Sequence, residues 1–400
     1  MERKDWIDQL RGFAFFIVVL CHASVLGVIS HVGAAFHMPL FFMISGLLFY
    51  PEKVLERSLI SQVGHKFQSI IIPYFWVVFS LFPIWVLNYR VLRKGKANYW
   101  HTLIGNLVSQ DKIYPATVNP VWFLGALFFA YLYILIIVKI TGRQRWLRLL
   151  MAFGIMALGF YFSDKQLPYH VNTGMVGAGY IYTGYLVRRY ILEKNVLRNY
   201  KNLVIVILTT IGFVSAFSNK TVFMVYGQYY SIPLFVTSSL TFSIALILLF
   251  SEFSKDKVLA FMGRNTLFAL GAHIALIRIC QAIWADKLSS SFIKMFMVFG
   301  VEALLLGIAY VMNRWWPYMN GKYTANTNSK KAFIFRMIMV CWCMIVPVWM
   351  SVVRWLTDEK GRSFIFTVLF TILIGGLFTI ITSKYVKWIL KRNRYKKEAS

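Results

Sequence analysis

Apolar runs of about 17 to 24 residues recur along almost the whole chain, each long enough to cross the roughly 30 Å hydrocarbon core of a bilayer as a helix. In lipid an unpaired peptide group has no water to bond, so such runs must close their own backbone hydrogen bonds. Only 14% of the residues are charged, against 58% hydrophobic and 18% aromatic. The expected fold is therefore all-α, a polytopic transmembrane helix bundle. No long polar segment, internal repeat or low-complexity tract is present, which excludes a separate soluble catalytic domain.

Reading apolar runs between polar breaks places about 12 spans, at 12–30, 34–50, 69–89, 119–139, 147–162, 172–188, 203–218, 230–250, 265–285, 291–311, 332–353 and 363–386. This divides the chain into a ten-span core within 1–325, two additional spans within 326–386 and a basic tail at 387–400. With the N-terminus in the cytoplasm, most of the 43 Lys and Arg fall on the inner side, so both termini are expected to be cytoplasmic in a multi-pass protein of the cell membrane. The +28 formal charge is then an orientation signal, with the tail against anionic membrane lipids, and no basic module implies nucleic acid. Residues 1–20 resemble a signal peptide, but Glu2, Asp5 and Asp8 are atypical of one and point to an uncleaved first helix. One external loop, 90–118, carries Arg90, Arg93, Lys94, Lys96 and Lys112 against this trend. It reads as a solvated connection, as a mouth for an anionic glycan or lipid head group, or as a re-entrant helix. Cys21, Cys280, Cys341 and Cys343 all lie in apolar segments, which gives no disulfide framework.

Arg11 and His22 stand eleven residues apart on one apolar stretch. That is three helical turns and about 16 Å of rise, so both side chains leave the helix on the same side. A cation at a membrane face and an imidazole placed near mid-bilayer mark a site rather than a lipid surface, because ionisable groups at that depth are costly. Depth alone leaves His22 open as a packed polar residue, a proton or ion relay, or a general base. After a short turn, His37 falls about one turn inside the second span, and Pro39 stands where a helix begins or bends. His37 reads either as a partner of His22 in one cavity or as an interfacial side chain facing water. Ser45 and Gly46 permit close backbone approach deeper in the bundle.

The blocks Asp8-Gln-Leu-Arg11-Gly with His22, Phe36-His37-Met38-Pro39-Leu-Phe-Phe-Met-Ile-Ser45-Gly46, Pro73-Tyr74, Pro120-Val-Trp122-Phe123-Leu124, and Gly263-Arg264-Asn265-Thr266-Leu267 with His273 run in order along about residues 4–325. Together they resemble the acyltransferase 3 family of membrane O-acyltransferases, in a form similar to its fucose 4-O-acetylase-like branch. The resemblance implies acetyl transfer from cytoplasmic acetyl-CoA, a donor substrate rather than a resident cofactor, to a hydroxyl of a cell-envelope or exported glycan or a lipid-linked sugar. It implies a central role for His22 in transfer, with Arg11 holding the donor.

Such chemistry needs a base or proton path, polarisation of the thioester carbonyl and positive charge for the donor phosphates. Arg11, Lys66, Arg188 and Arg264 are the phosphate candidates, with Lys53, Arg57 and Arg189 on the same face. Each has the alternative reading of a positive-inside anchor, Arg11 less than the others. His37, Trp122, His273 and Ser45 are the substrate-binding candidates. Trp122 is otherwise an interfacial anchor, and His273 a helix-packing residue. Arg278 and Glu302 are expected to pair. Two features depart from the family: where it often has an arginine before Pro73-Tyr74 the nearest cation here is Lys66, and a lysine cannot reproduce bidentate binding, and 332–386 extends past the matching region. No metal or nucleophile motif such as HExxH, CxxC or Gly-x-Ser-x-Gly occurs, which favours direct transfer, although Ser24, Ser45 or Cys21 would be the acyl carriers otherwise. A membrane exporter of a polysaccharide or lipid-linked sugar is the rival reading, weakened by the lack of a half-to-half repeat.

Overall fold

The computed structural model describes residues 5–78, 105–109, 121–165, 167–252, 256–283, 290–315 and 321. Most of the basic segment 90–118, Pro120, the expected spans at 332–353 and 363–386 and the tail lie outside the described residues.

Helix α1 (Asp5–Ala23) and α2 (Gly27–Leu47) form an antiparallel hairpin. Its turn is made without glycine. Ser24 takes a left-handed φ of 50°, and its N–H and the Ser30 hydroxyl both donate to the Cys21 carbonyl, each at 3.3 Å, which satisfies a helix-end acceptor. Pro39 sits inside α2 without ending it. Two short helices follow, α3 (Pro51–Glu56) and α4 (Leu59–Lys66), the latter capped by the Ser58 hydroxyl, which accepts from the Ser61 N–H at 3.3 Å. A π-helical turn, Phe67–Ile71, carries α4 on into helix over 72–78.

The remaining helices are α5 (Trp122–Thr141), α6 (Arg145–Tyr161), α7 (Val171–Leu186), which continues into a π-helical turn (Val187–Leu192), α8 (Lys201–Phe217), α9 (Ile232–Phe250), α10 (Lys257–Ile283) and α11 (Ser291–Trp315). Among the described residues there is no strand, only an isolated bridge between Phe223 and Gln228. Six helices, α1, α2, α5, α9, α10 and α11, are long and apolar enough to cross a membrane, and α8 is a shorter apolar helix. The protein is an all-helical, multi-pass membrane protein. Along α8, Leu203, Val206, Ile207, Phe213 and Val214 are exposed, a lipid-facing surface rather than a core.

Contacts between helix ends define two faces of the bundle. At the Asp5 face, Lys139 donates to the Leu55 carbonyl at 3.0 Å, Arg188 to the Phe49 carbonyl at 2.8 Å, and Lys201 pairs with Glu252 at 2.7 Å. At the opposite face, His31 bonds Thr221 at 2.7 Å and the Ala216 carbonyl at 2.9 Å, and Lys294 donates to the Ser24 carbonyl at 3.3 Å.

Two glycine crossings bring backbones together. A Cβ on Gly12 would strike the Leu259 carbonyl, and one on Gly263 would strike the Asp8 carbonyl, so α1 and α10 touch main chain to main chain. Gly46 and Gly184 do the same for α2 and α7. With no hydrophobic effect to drive helix association in lipid, such close approach is a principal source of attraction.

The first two helices begin about seven residues earlier than hydropathy suggested. Asp5 and Asp8 fall in the first turn of α1, where carboxylates favour the helix dipole, and Asp8 and Gln9 are buried rather than solvated. His22 therefore occupies the last turn of α1 instead of mid-span, and His37 lies ten residues into α2 instead of one turn. Arg278 and Glu302 do not pair: both Glu302 carboxylate oxygens are buried with no hydrogen-bond partner among the described residues.

Replacing Gly12 by Leu should wedge α1 from α10 and cost at least about 1–3 kcal/mol, as overpacking does. The thermal midpoint of the detergent-purified variant should fall by several degrees, while Gly154→Ala, where nothing lies within 4 Å, should leave it in place. An unshifted midpoint for Gly12→Leu would show that the two helices do not meet there.

Candidate active site

His22 is exposed, but into a cavity of about 400 Å³ inside the bundle at the face opposite Asp5. His37 and Met38 of α2, Trp122 of α5 and the 221–226 loop line the same space. The imidazole of His273, fully buried on α10, lies 5.1 Å from that of His22 between ring centroids, and Phe15 meets His273 edge-on at 5.7 Å. Among the described residues nothing hydrogen-bonds the His22 ring, so both nitrogens are available to what enters the cavity.

The other two histidines are fixed by backbone carbonyls. His37 Nδ1 bonds the Gly33 carbonyl, and His273 Nδ1 bonds the Ala269 carbonyl at 3.2 Å. A carbonyl can only accept, so in each neutral ring Nδ1 carries the proton and Nε2 is left as an acceptor. The His273 Nε2 is buried with no partner among the described residues. Buried polar atoms are rarely left unpaired, which makes this one notable beside an open imidazole.

Trp122 is the first residue of α5 and is held from behind by a segment that sequence reasoning passed over. Tyr169 and His170 both take left-handed φ angles, 55° and 54°, a costly conformation for side-chain-bearing residues. The His170 ring packs 5.3 Å from Trp122, and a Cβ on Gly125 would stand 2.8 Å from the Tyr169 carbonyl. Asn172 fixes the segment by donating to the carbonyls of Phe162 at 3.0 Å and Lys165 at 2.8 Å. Burial lowers the His170 pKa to about 4, against the opposing effect of a backbone bond at Val225. Tyr74 packs 5.9 Å from Tyr169 and donates to the Asn106 carbonyl, so the Pro73-Tyr74 block supports the Trp122 wall from outside the cavity.

Arg11, Lys66 and Ser45 gather elsewhere, around Tyr131 toward the Asp5 face. The Lys66 ammonium lies 3.4 Å from the centroid of the Tyr131 ring, and Ser45 and Lys66 are within hydrogen-bonding reach of its hydroxyl. Arg11 is near enough to act on that phenol electrostatically, and approaches Asp8 at 3.9 Å. Ser45 also donates to its own helix at the Phe41 carbonyl, 3.0 Å away. Between the two groups, on the shared stripe of α1, stand Phe15 and Val18. Val18 lines the cavity and Phe15 is buried, while Arg11 is not among the lining residues.

Arg188 and Arg264 join neither group. The Arg188 guanidinium is buried, stacked 3.6 Å from the Tyr50 ring centroid and 3.6 Å from a Glu193 carboxylate oxygen, which ties the π-helical turn to the end of α2. Arg264 is half-buried beside Gly263 at the α1 crossing. Among the residues missed, Tyr131 was one aromatic within a long apolar run, and the 221–226 loop had only its polar flanks as a signal. Arg278 was seen, but as the partner of Glu302, whereas it acts electrostatically on His22.

Among the described residues no group of three or more His, Cys, Asp or Glu side chains is arranged to hold a metal. No curated protein and no solved structure matches the chain significantly. A family model described as an acyltransferase domain matches residues 4–314, the stretch that holds both polar groups and every helix that builds them. The chain belongs to the acyltransferase 3 family and is a multi-pass membrane acyltransferase.

Proposed function

We propose that the protein transfers an acetyl group from cytoplasmic acetyl-CoA to a hydroxyl of a cell-envelope or exported glycan or a lipid-linked sugar, as in the fucose 4-O-acetylase-like branch. The observation that carries the reading is the His22 ring, unbonded among the described residues, open to a cavity inside an apolar bundle and flanked by His37 and His273. An imidazole so placed takes a proton from a hydroxyl held against Trp122, whose aromatic face suits the C–H groups of a sugar ring. The hydroxyl oxygen then bonds the thioester carbonyl carbon, the carbon–sulfur bond breaks, and the proton passes from His22 to the departing thiolate. His273 Nε2 supplies an acceptor beside His22 as that ring gains charge. Ser24 and Cys21 also line the cavity. Direct transfer needs neither.

The Asp5 face is read as cytoplasmic because Lys53, Arg57, Arg143, Arg145, Arg189, Arg198 and Lys257 cluster at helix ends there. Arg11 and Lys66, half-buried on that side, are then the cations that position the donor, with Arg188 and Arg264 as further contacts.

In purified protein given labelled acetyl-CoA and candidate glycans, His22→Ala and His22→Gln should each lower kcat by about 10²–10⁴ with protein yield retained, the range expected for a general base. Unimpaired transfer would remove the role. Uptake of glycan into vesicles without label transfer or thioester hydrolysis would instead favour an exporter.

Arg11→Gln should raise the KM for acetyl-CoA at least about tenfold, the worth of a charge-assisted hydrogen bond, and leave the acceptor KM near its original value. Equal effects on both substrates would place Arg11 outside the donor contacts.

A further inference from the structure

A second cavity, of about 520 Å³, opens at the Asp5 face between α3 and the α5–α6 turn. Arg143, Arg145 and Arg148 line it, with Glu52, Glu56 and Leu55 on the α3 side. Arg148 is buried and set in place by the α5 end: its Nε donates to the Thr141 hydroxyl at 3.4 Å, and a terminal nitrogen donates to the Gly142 carbonyl. Arg143 and Arg145 are exposed, and among the described residues neither lies within ion-pair distance of a carboxylate, although two carboxylates line the same cavity. Oppositely charged walls held apart across an open space suit a ligand that carries both anionic groups and hydrogen-bond donors.

The backbone adds to the anionic side. Arg145 opens the seventeen-residue helix α6, whose first turn holds no acidic residue and whose N-cap, Gln144, makes no side-chain hydrogen bond to it. The dipole and unpaired N–H groups of that turn favour an anion, and the planar guanidinium groups match phosphate oxygens in pairs. The carboxylates of Glu52 and Glu56 in turn accept from hydroxyl or amino groups, as ribose and adenine present them.

We propose that this cavity binds the phosphorylated adenosine end of the thioester donor, an inference that rests on the acetyl-CoA reading above. The phosphates meet Arg143, Arg145 and Arg148, and the nucleoside faces α3. Helix α5 runs from this cavity past the Lys66 and Tyr131 group to Trp122 at the histidine cavity, with Thr141 and Tyr131 about 15 Å apart along the axis. An extended donor laid along α5 thus keeps its charged end at the aqueous face and directs its thioester inward.

The test is direct binding of radiolabelled adenosine 3′,5′-bisphosphate, which has no acyl arm, to the full chain in detergent. Saturable binding that weakens at least about tenfold in R143Q/R145Q is expected, because charge-assisted hydrogen bonds are lost. In transfer assays the same variant should raise the ratio of KM for acetyl-CoA to KM for acetyl-pantetheine by a similar factor. Wild-type protein that ignores the bisphosphate but retains anionic lipid through Arg143 and Arg145, seen by native mass spectrometry, would make this a head-group site and overturn the proposal. So would binding that the double variant leaves unchanged. Arginine-dependent bisphosphate binding without any acetyl transfer to glycans would keep the nucleotide site and reject the transfer reading instead. Transfer with an unchanged KM ratio would do the reverse.

Discussion

The structure hangs on the approach of α1 to α10 at Gly12 and Gly263. Each glycine lies where a side chain would strike the other helix's backbone, so the crossing fixes both the spacing of the two helices and their axial register. His22 stands ten residues beyond Gly12 and His273 ten residues beyond Gly263. On parallel helices that equal offset lifts both imidazoles the same height, about 15 Å above the contact. The pairing of the two rings is thus a consequence of where two side chains are missing. The turn at Ser24 then ends α1 one turn beyond Val18, which leaves His22 facing open space instead of a further layer of helix.

Polar groups inside the apolar bundle divide into those that are satisfied and those that are not. Asn313 donates to Asn265 at 2.6 Å between α11 and α10, Tyr180 shares a 2.6 Å bond with Ser239 between α7 and α9, and Thr141 and Thr183 donate back to their own helices. These bonds make the interior tolerable and have no chemistry left over. The nitrogen atoms of His273 and His170 that lack partners lie instead beside His22 and behind Trp122. Among the described residues Arg188, Ser243 and Glu302 also keep buried polar atoms without a hydrogen-bond partner, so unpaired polarity is not confined to the cavity, but at the cavity it stands beside an open imidazole.

Much of this was legible in the residues, and the parts that were not share a cause. Helix identities followed from hydropathy, and α5 to α9 begin and end within three residues of the expected runs. The first helix was misplaced because Asp5, Asp8 and Arg11 look like loop residues by charge. In fact they lie in the first turns of a helix, where the carboxylates favour the dipole and Arg11 approaches Asp8 at 3.9 Å. The sharing of one cavity by His22, His37 and Trp122 was readable from short-range blocks because the short α1–α2 turn makes those helices neighbours, although His37 lies at mid-helix rather than near an end. Tyr131 and His170 were not, because an aromatic in an apolar run and a histidine in a loop acquire meaning only from the neighbours the fold gives them. The arginines of the α5–α6 turn were absorbed into orientation statistics for the same reason.

The separation of the two polar groups by Phe15 and Val18 bears on how any transfer proceeds. A phosphate-bearing donor cannot follow the α1 stripe as a whole, since desolvating its charges next to a buried phenylalanine would cost far more than the contacts return. A neutral amide-and-methylene arm meets no such barrier and fits an apolar constriction. On the proposed reading the arrangement would sort a donor by its parts: cations at the Asp5 face would hold what is charged, and the histidine cavity would receive the reacting end. In the proposed reaction a sugar acceptor, polar but uncharged along its hydroxyls, would enter that cavity from the opposite face, where the 221–226 loop and Trp122 form the walls. On that reading the two substrates would meet at His22 without either crossing the whole bundle, so an imidazole open to a cavity at the end of a helix, and not at its middle, would suffice.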